Sequence, residues 1–322
     1  MTGVGLKFVV SAVVVVLTTV AGYICRRRQW LDERVAEWIM TFVGVFGYSS
    51  VAFLSVWGTP LKAGDIWLPL LASAHVLIMT GIGLGISRLL TQDRAERGLF
   101  AIAAGSGNNG FTGGAFVLYL LHGEPGMGLS NIYIVMFMPM AVLLMYPIAR
   151  HHSESNTGGS LAALYKRSLL DWRSIGLPIV LAAIALSAFK VQRPVWIAEW
   201  HLMDALVYLV TPLAFFAIGL RLRASKVLPM WKLIAGLGIV RFLVGAAVGV
   251  CLAWVTLQTP WPFDELRWDV FVVQSFVPTA VTMVAIANMF NLRPMEASVL
   301  FVANTIMYLL LALPVIFLWH SR

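Results

Sequence analysis

Apolar runs of the length that crosses a bilayer recur through this chain with little between them. They fall near residues 7–25, 36–57, 66–87, 98–121 and 129–149, then near 174–189, 201–220, 232–257, 268–290 and 295–319. A spanning helix needs about 20 mostly apolar residues, because the hydrocarbon core is about 30 Å thick and a helix rises about 1.5 Å per residue. Ten such runs fill most of the 322 residues and leave no room for a separate soluble domain. The chain is 60% hydrophobic and 12% charged, against roughly 25% charged in soluble domains. A soluble fold cannot hide that much apolar surface, so the expected fold class is an all-α integral membrane protein of ten transmembrane helices.

The net charge of +8 does not point to nucleic acid, because the basic residues cluster between apolar runs instead of lining one polar face. Sixteen of the 23 Lys and Arg fall in one set of alternating connections, including Arg26, Arg27, Arg28, Arg94, Arg150 and Arg293. Six fall in the other set: Lys7, Lys62, Lys190, Arg193, Arg267 and Arg322. Arg241 alone lies inside a run. Cytoplasmic loops are enriched in Lys and Arg, so the asymmetry predicts that both termini face away from the cytoplasm. The first run has its basic cluster after it and no small-residue cleavage pattern, which reads as a retained span and not a signal peptide. Cys25 and Cys251 lack metal or disulfide spacing and take no redox role. No HExxH, GxSxG or aspartate pair suggests an enzyme. Tryptophans such as Trp30, Trp57, Trp196, Trp254 and Trp319 flank the runs as an interfacial belt.

The longest connection runs from Arg150 to Trp172, and its polar stretch His151 to Ser160 reads as a hinge. It divides the chain into a first five-helix repeat (1–150), a cytoplasmic connecting loop (151–172) and a second five-helix repeat (173–322). The halves match at an offset of about 160 to 167 residues: Pro147 with Pro314, Pro69 with Pro229, His75 with Arg241, and Asn108 with Ser275. An odd number of spans per repeat inverts the second against the first, a plan that secondary transporters use with sites at the midplane.

Span four carries five glycines in the ten residues from Gly105 to Gly114. Glycine costs about 1 kcal/mol against alanine in a helix, so the stretch reads as a break whose N–H groups and amides meet a ligand. Tight packing through small residues is the alternative. Span nine has Gln274 to Thr282 with Pro278, which frees a carbonyl one turn earlier; an ordinary proline kink is the alternative. Half-helix N-termini bind anions. The candidate substrate contacts are therefore Asn108, Asn109, Gly110, Thr112, Ser275, Pro278 and Thr279. Arg241 is a source of charge or an anchor, or else a structural arginine reaching a headgroup or a carbonyl. His75 and Gln274 are positions for coupling or proton relay, with packing the alternative for the lone histidine. Asp204, Glu265 and Asp269 sit at span ends and read as solvated. No metal site or cofactor is expected, and coupling to H+ or Na+ is open.

Four blocks in order resemble the auxin efflux carrier family, which joins bacterial organic-acid permeases to plant PIN-formed carriers and is related more distantly to bile acid:sodium symporters. They are GYICRRRQWLDERVAEWI (Gly22 to Ile39), GNNGFTGG (Gly107 to Gly114), TPLAFFAIGLRL (Thr211 to Leu222) and VPTAVTMVAIANMFNLRPMEASVLFVANTIMYLLLALP (Val277 to Pro314). The resemblance implies a ten-helix inverted-repeat fold with broken, crossing helices four and nine, alternating access, and carboxylate substrates, with Asn108 and Pro278 at the crossover. It implies a permease of the plasma (bacterial inner) membrane whose partners are a small carboxylate and the lipid bilayer, with a homodimer open. Two positions depart from the family pattern: Ala115 stands where a proline usually follows the span-four signature, and span two lacks the usual proline around Tyr48. The expected function is secondary transport of a small organic anion; a sodium-coupled symporter and a non-transporting membrane sensor are the alternatives.

Overall fold

The computed structural model describes residues 3–110, 112–153, 166, 175–221 and 228–320. Helix α1 covers Gly3–Arg27. Helix α2 starts at Glu33–Phe42, passes through a π-helical turn at Val43–Tyr48 and finishes as Ser49–Trp57. A 3-10 turn at Ala63–Ile66 leads into Trp67–Leu90, together α3, and α4 covers Arg94–Gly105. Helix α5 runs Gly114–Ile134 and continues through Phe137–Met140, a π turn at Ala141–Met145 and Tyr146–His152. Next come α6 (Gly176–Ala188), the short α7 (Val195–Glu199) and α8 (Leu202–Leu220). Helix α9 is Trp231–Ile239, a π turn at Val240–Val244, Gly245–Val255 and a last 3-10 turn, Thr256–Gln258. Then follow α10 (Glu265–Ser275), α11 (Val281–Met289) and α12, which is Pro294–Met307, a π turn at Tyr308–Ala312 and Leu313–His320.

Local chemistry sets several of these starts. Asp32, Asp93 and Asp264 cap α2, α4 and α10 by accepting first-turn N–H groups, which satisfies donors that have no intrahelical partner. Pro294 opens α12, where a missing N–H costs nothing.

No strand occurs among the described residues. Among the described residues, six helical stretches are long and apolar enough to cross a membrane: Arg34–Trp57, Ala63–Leu90, Gly114–His152, Leu202–Leu220, Trp231–Gln258 and Pro294–His320. Large apolar side chains point outward, with Leu89 85% and Phe189 83% exposed, while Asn108, Gln274 and Arg241 are buried. That inverts the soluble pattern and suits lipid surroundings. The chain is a helical, membrane-embedded protein.

Helix ends fall close to the runs in the sequence. The run near 98–121 is two helices, since α4 stops at Gly105 and α5 starts at Gly114. The second of these meets the helix of the run near 129–149 at a kink. Gly123, at φ 66 and ψ −151, is non-helical and separates α5 into two helical arms across a kink, with Pro125 on the second arm; the left-handed φ is one that glycine adopts freely. Most of the hinge at His151 to Ser160 and of the 151–172 loop lies outside the described residues.

The helices pack in two groups. Helices α1, α2, α6 and α8 form one, and α3, α4, α5 and α9 to α12 the other, with the second half of α2 lying against α5. Within the first group, α1 and α8 touch through Gly22 and Gly219. A Cβ at either position would lie 2.1 Å from a carbonyl of the facing helix, Phe216 O or Thr19 O, the close approach that small residues permit in membranes. Between the groups, Tyr48 Oη donates to Asn131 Oδ1 at 2.7 Å, and Asn131 Nδ2 donates to Ser55 Oγ at 3.1 Å. The matching features of the two halves recur at one offset. Helices α5 and α11 start 167 residues apart, at Gly114 and Val281, and the π turns at Ala141–Met145 and Tyr308–Ala312 are separated by the same interval.

Candidate functional site at the two helix breaks

The chain leaves the helix at Ser106 and again after Ser275, and the two extended segments pair with each other. Gly107 and Thr279 form an antiparallel bridge. Asn108 N–H donates to Pro278 O at 2.7 Å, and Ala280 N–H donates to Ser106 O at 2.9 Å. Backbone groups freed by the breaks thus find partners on the other break, as groups at membrane depth must. Pro278 has no N–H and cannot continue α10. Gly107 leaves the room: a Cβ there would sit 2.6 Å from Asn109 Oδ1 and 2.8 Å from Arg241 Nη2.

The amides expected to meet substrate lock the crossing. Asn109 Nδ2 donates to Gln274 O and Oε1, both at 2.8 Å, and Gln274 Nε2 returns a bond to Asn109 O at 3.0 Å. Asn108 closes the loop on itself, accepting from Thr112 Oγ1 at 3.0 Å. Gly110 O accepts from Gly113 and Ala115 N–H groups. Ser275 Oγ is spent on Val272 O at 2.6 Å. The two departures from the resembled family have local explanations. Ala115 N–H donates to Asn109 O and Gly110 O at 3.0 and 3.1 Å, bonds that a proline lacks, and the π turn at Val43–Tyr48 interrupts α2 without one.

Where α4 and α10 end, Arg241 fills the space. It is 1% exposed. Its Nε and Nη2 donate to Val277 O at 2.9 and 2.6 Å, and its Nη1 donates to Ala104 O at 3.0 Å. Helix C-termini carry partial negative charge, so the guanidinium neutralises both ends at once. The charge expected to join the helix N-termini lies instead on carbonyls. The π turn at Val240–Val244 carries the arginine; such turns add a residue and re-aim side chains, often at functional sites. His75 lies nearby on α3, with Nε2 3.2 Å from Gly245 O.

Where α5 and α11 begin, the surroundings differ. Thr279 N–H donates to Asn304 Oδ1 on α12 at 2.8 Å. Thr279 Oγ1, Thr282 Oγ1, Asn304 Nδ2 and Tyr308 Oη are all buried without a hydrogen-bond partner. Asn304 and Tyr308 are four residues apart, so they share a helix face. Tyr308 also lines a small cavity with Thr112 and Gly113, at the start of α5. Both helix starts therefore approach the same stretch of α12. The rest of the cavity wall is apolar and includes Phe116 and Val117 of α5, Val15 of α1 and Phe215 of α8, so it lies between the two helix groups.

Of the candidates from the sequence, the structure brings together Asn108, Asn109, Gly110, Thr112, Gln274, Pro278, Thr279 and Arg241. Ser275 turns into its own helix, and His75 packs on α9. Thr282, Asn304 and Tyr308 were missed; their signal was polar groups at helical spacing in otherwise apolar runs. No protein-family model and no curated protein matches the chain.

Proposed function

We propose that this chain is a secondary transporter of a small organic anion, a carboxylate, bound where α5 and α11 begin. One observation supports the reading above the others: the two poles of the crossing are charged unequally. The C-terminal pole has a built-in cation, Arg241, against its carbonyls. The N-terminal pole has the partial positive charge of two helix starts, no Asp or Glu among the residues that form it, and four buried polar side-chain atoms without partners. Each unpaired buried polar group costs about 1–3 kcal/mol. A carboxylate fits both deficits. It carries the missing negative charge and accepts from the Thr279, Thr282 and Tyr308 hydroxyls and the Asn304 amide, while the apolar cavity takes the body of the molecule.

The same reading takes the architecture as ten spans in two inverted repeats, supported by the common 167-residue interval and the antiparallel bridge. Alternating access is then motion of the α1, α2, α6 and α8 group against the group holding the crossing, past the cavity between them. The same reading has both termini on the non-cytoplasmic side of the plasma membrane, with the basic-residue asymmetry as support for the side and the resemblance as support for the membrane. This rests on geometry, with the resemblance to the auxin efflux carrier family as a second support.

Counterflow of labelled carboxylates in proteoliposomes tests it, run with and without Na+ and with and without a pH gradient to identify coupling. Exchange of a carboxylate that its neutral amide does not inhibit supports the proposal. Saturable binding without exchange makes the chain a sensor and contradicts it.

A further inference from the structure

A second cluster lies away from the crossing, where the first arm of α5 ends. His122 from α5, Asp269 from α10 and His320 from the last turn of α12 bring one ligand atom each within 4.8 Å of one another. Their side chains are 22%, 18% and 18% exposed, enough for solvent entry and too little for free rotation. His122 Nε2 and His320 Nε2 lie 3.2 and 3.1 Å from the same oxygen, Asp269 Oδ2. His122 Nε2 is nonetheless without an aligned hydrogen bond, so it shares the space in front of Asp269 without donating along the line to it.

The tautomer of His320 follows from its other nitrogen. Nδ1 lies 3.0 Å from Ile316 O, a carbonyl that only accepts, so Nδ1 carries the hydrogen. In the neutral ring Nε2 then turns a lone pair toward the carboxylate. Two sets of lone pairs at 3.1 Å need a proton or a metal ion between them, and a third nitrogen, from His122, faces the same carboxylate oxygen. A ring N–H held by a backbone carbonyl is also the usual way a metal-ligating histidine is oriented.

We propose that His122, Asp269 and His320 bind a divalent transition-metal ion of the zinc class. Four ligands about 2.0–2.2 Å from zinc at tetrahedral angles are about 3.3–3.6 Å apart, close to the two spacings observed. Two imidazoles and a carboxylate are borderline donors that suit zinc over calcium or magnesium. The fourth position is left for water. The ion ties together α5, α10 and α12, two of which enter the crossing, so it fixes one end of those arms. The site uses none of the residues of the proposed anion pocket, and its test needs no substrate.

The full-length protein in detergent, stripped by a chelator and titrated with Zn2+ alone, is the test. The expected result is a rise in Tm that saturates at one ion per chain, and four-coordinate d–d bands when Co2+ replaces Zn2+. His122→Ala, Asp269→Asn and His320→Ala each weaken binding by at least roughly tenfold, the range seen even for outer-shell partners. His201→Ala, at an exposed pair where Nδ1 is 3.6 Å from Asp204, leaves it unchanged. Binding that survives all three changes overturns the proposal. So does a wild-type Co2+ spectrum without four-coordinate bands, a readout that does not depend on how well the variants fold.

Discussion

Where α4 and α10 end, the carbonyls of Ala104 and Val277 meet a guanidinium that no solvent reaches. Where α5 and α11 begin, two threonine hydroxyls, an amide nitrogen and a phenol hydroxyl are buried with no partner. Both ends face the same difficulty, a helix dipole stopped at membrane depth, and only the first solves it with its own residues. A permanent charge makes one end a fixed strut. Under the proposed function the other end is left for a substrate, and the contrast between them is open to direct attack.

The largest effect is expected at the strut. Arg241→Met leaves two buried carbonyls unpaired and should cost about 3–5 kcal/mol, the usual range for removing one side of a buried charged contact. Thermal or chemical unfolding in detergent measures it. Arg241→Lys should recover only part, because an ammonium cannot fork between two carbonyls as a guanidinium does. A melting temperature unchanged in both variants would mean that the C-terminal pole needs no cation.

The converse change supplies the charge the other pole lacks. Thr279→Asp places a carboxylate beside the start of α11, where anions are favoured. Stability should hold within about 1 kcal/mol, while anion binding falls at least tenfold, which is about 1.4 kcal/mol. Proteoliposome uptake and unfolding of the same preparation read both halves of this prediction.

Between the poles, Gly114→Ala tests the clasp. The new methyl would lie 2.1 Å from Gln274 Oε1 and 2.9 Å from Val277 Cγ1, so Gln274 has to release Asn109. A loss of about 1–3 kcal/mol is expected, as for other overpacked sites. Tyr308→Phe is a finer probe. It deletes an unpartnered hydroxyl, so stability should stay level or rise by up to about 1 kcal/mol, while uptake falls several-fold. A stability loss with unaltered uptake would move Tyr308 out of the pocket.

The smallest effect lies outside the membrane. Asp93 caps α4 and pairs with Arg293 at the start of α12. Burial pushes its carboxyl pKa up, but the Glu96 N–H and the Arg293 guanidinium outweigh that and hold it below the usual carboxylate value. A depressed folded pKa stabilises the protein above the unfolded value and ceases to do so as the pH falls through the folded one. Asp93→Asn should therefore lower stability by less than about 1 kcal/mol at neutral pH, and the difference from wild type should close in strong acid.

The breaks were readable because glycine and proline mark them chemically. Gly105 to Gly114 and Pro278 cannot serve a regular helix, and the structure interrupts the helices at those segments. The partners of Arg241 were not readable, since Ala104 and Val277 contribute main-chain carbonyls that no side chain announces. The π turn that aims the arginine leaves no residue signature either. The gap between the runs near 98–121 and 129–149 is a kink at Gly123, whose φ of 66 separates two helical arms. Asp269 read as a solvated end because span-end acids usually are; its two histidines come from elements 147 residues before and 51 after it, near only in the packed bundle.

The central claim is that the N-terminal pole takes the negative charge it lacks from a substrate. It is tested most directly by the melting temperature of the purified protein against a panel of carboxylates, each beside its neutral amide, in wild type and Thr279→Asp. A ligand that binds the folded state raises its stability, so at least one carboxylate should raise the wild-type Tm, its amide should not, and Thr279→Asp should abolish the rise. Equal shifts for acid and amide, or a carboxylate shift that survives Thr279→Asp, would contradict the account.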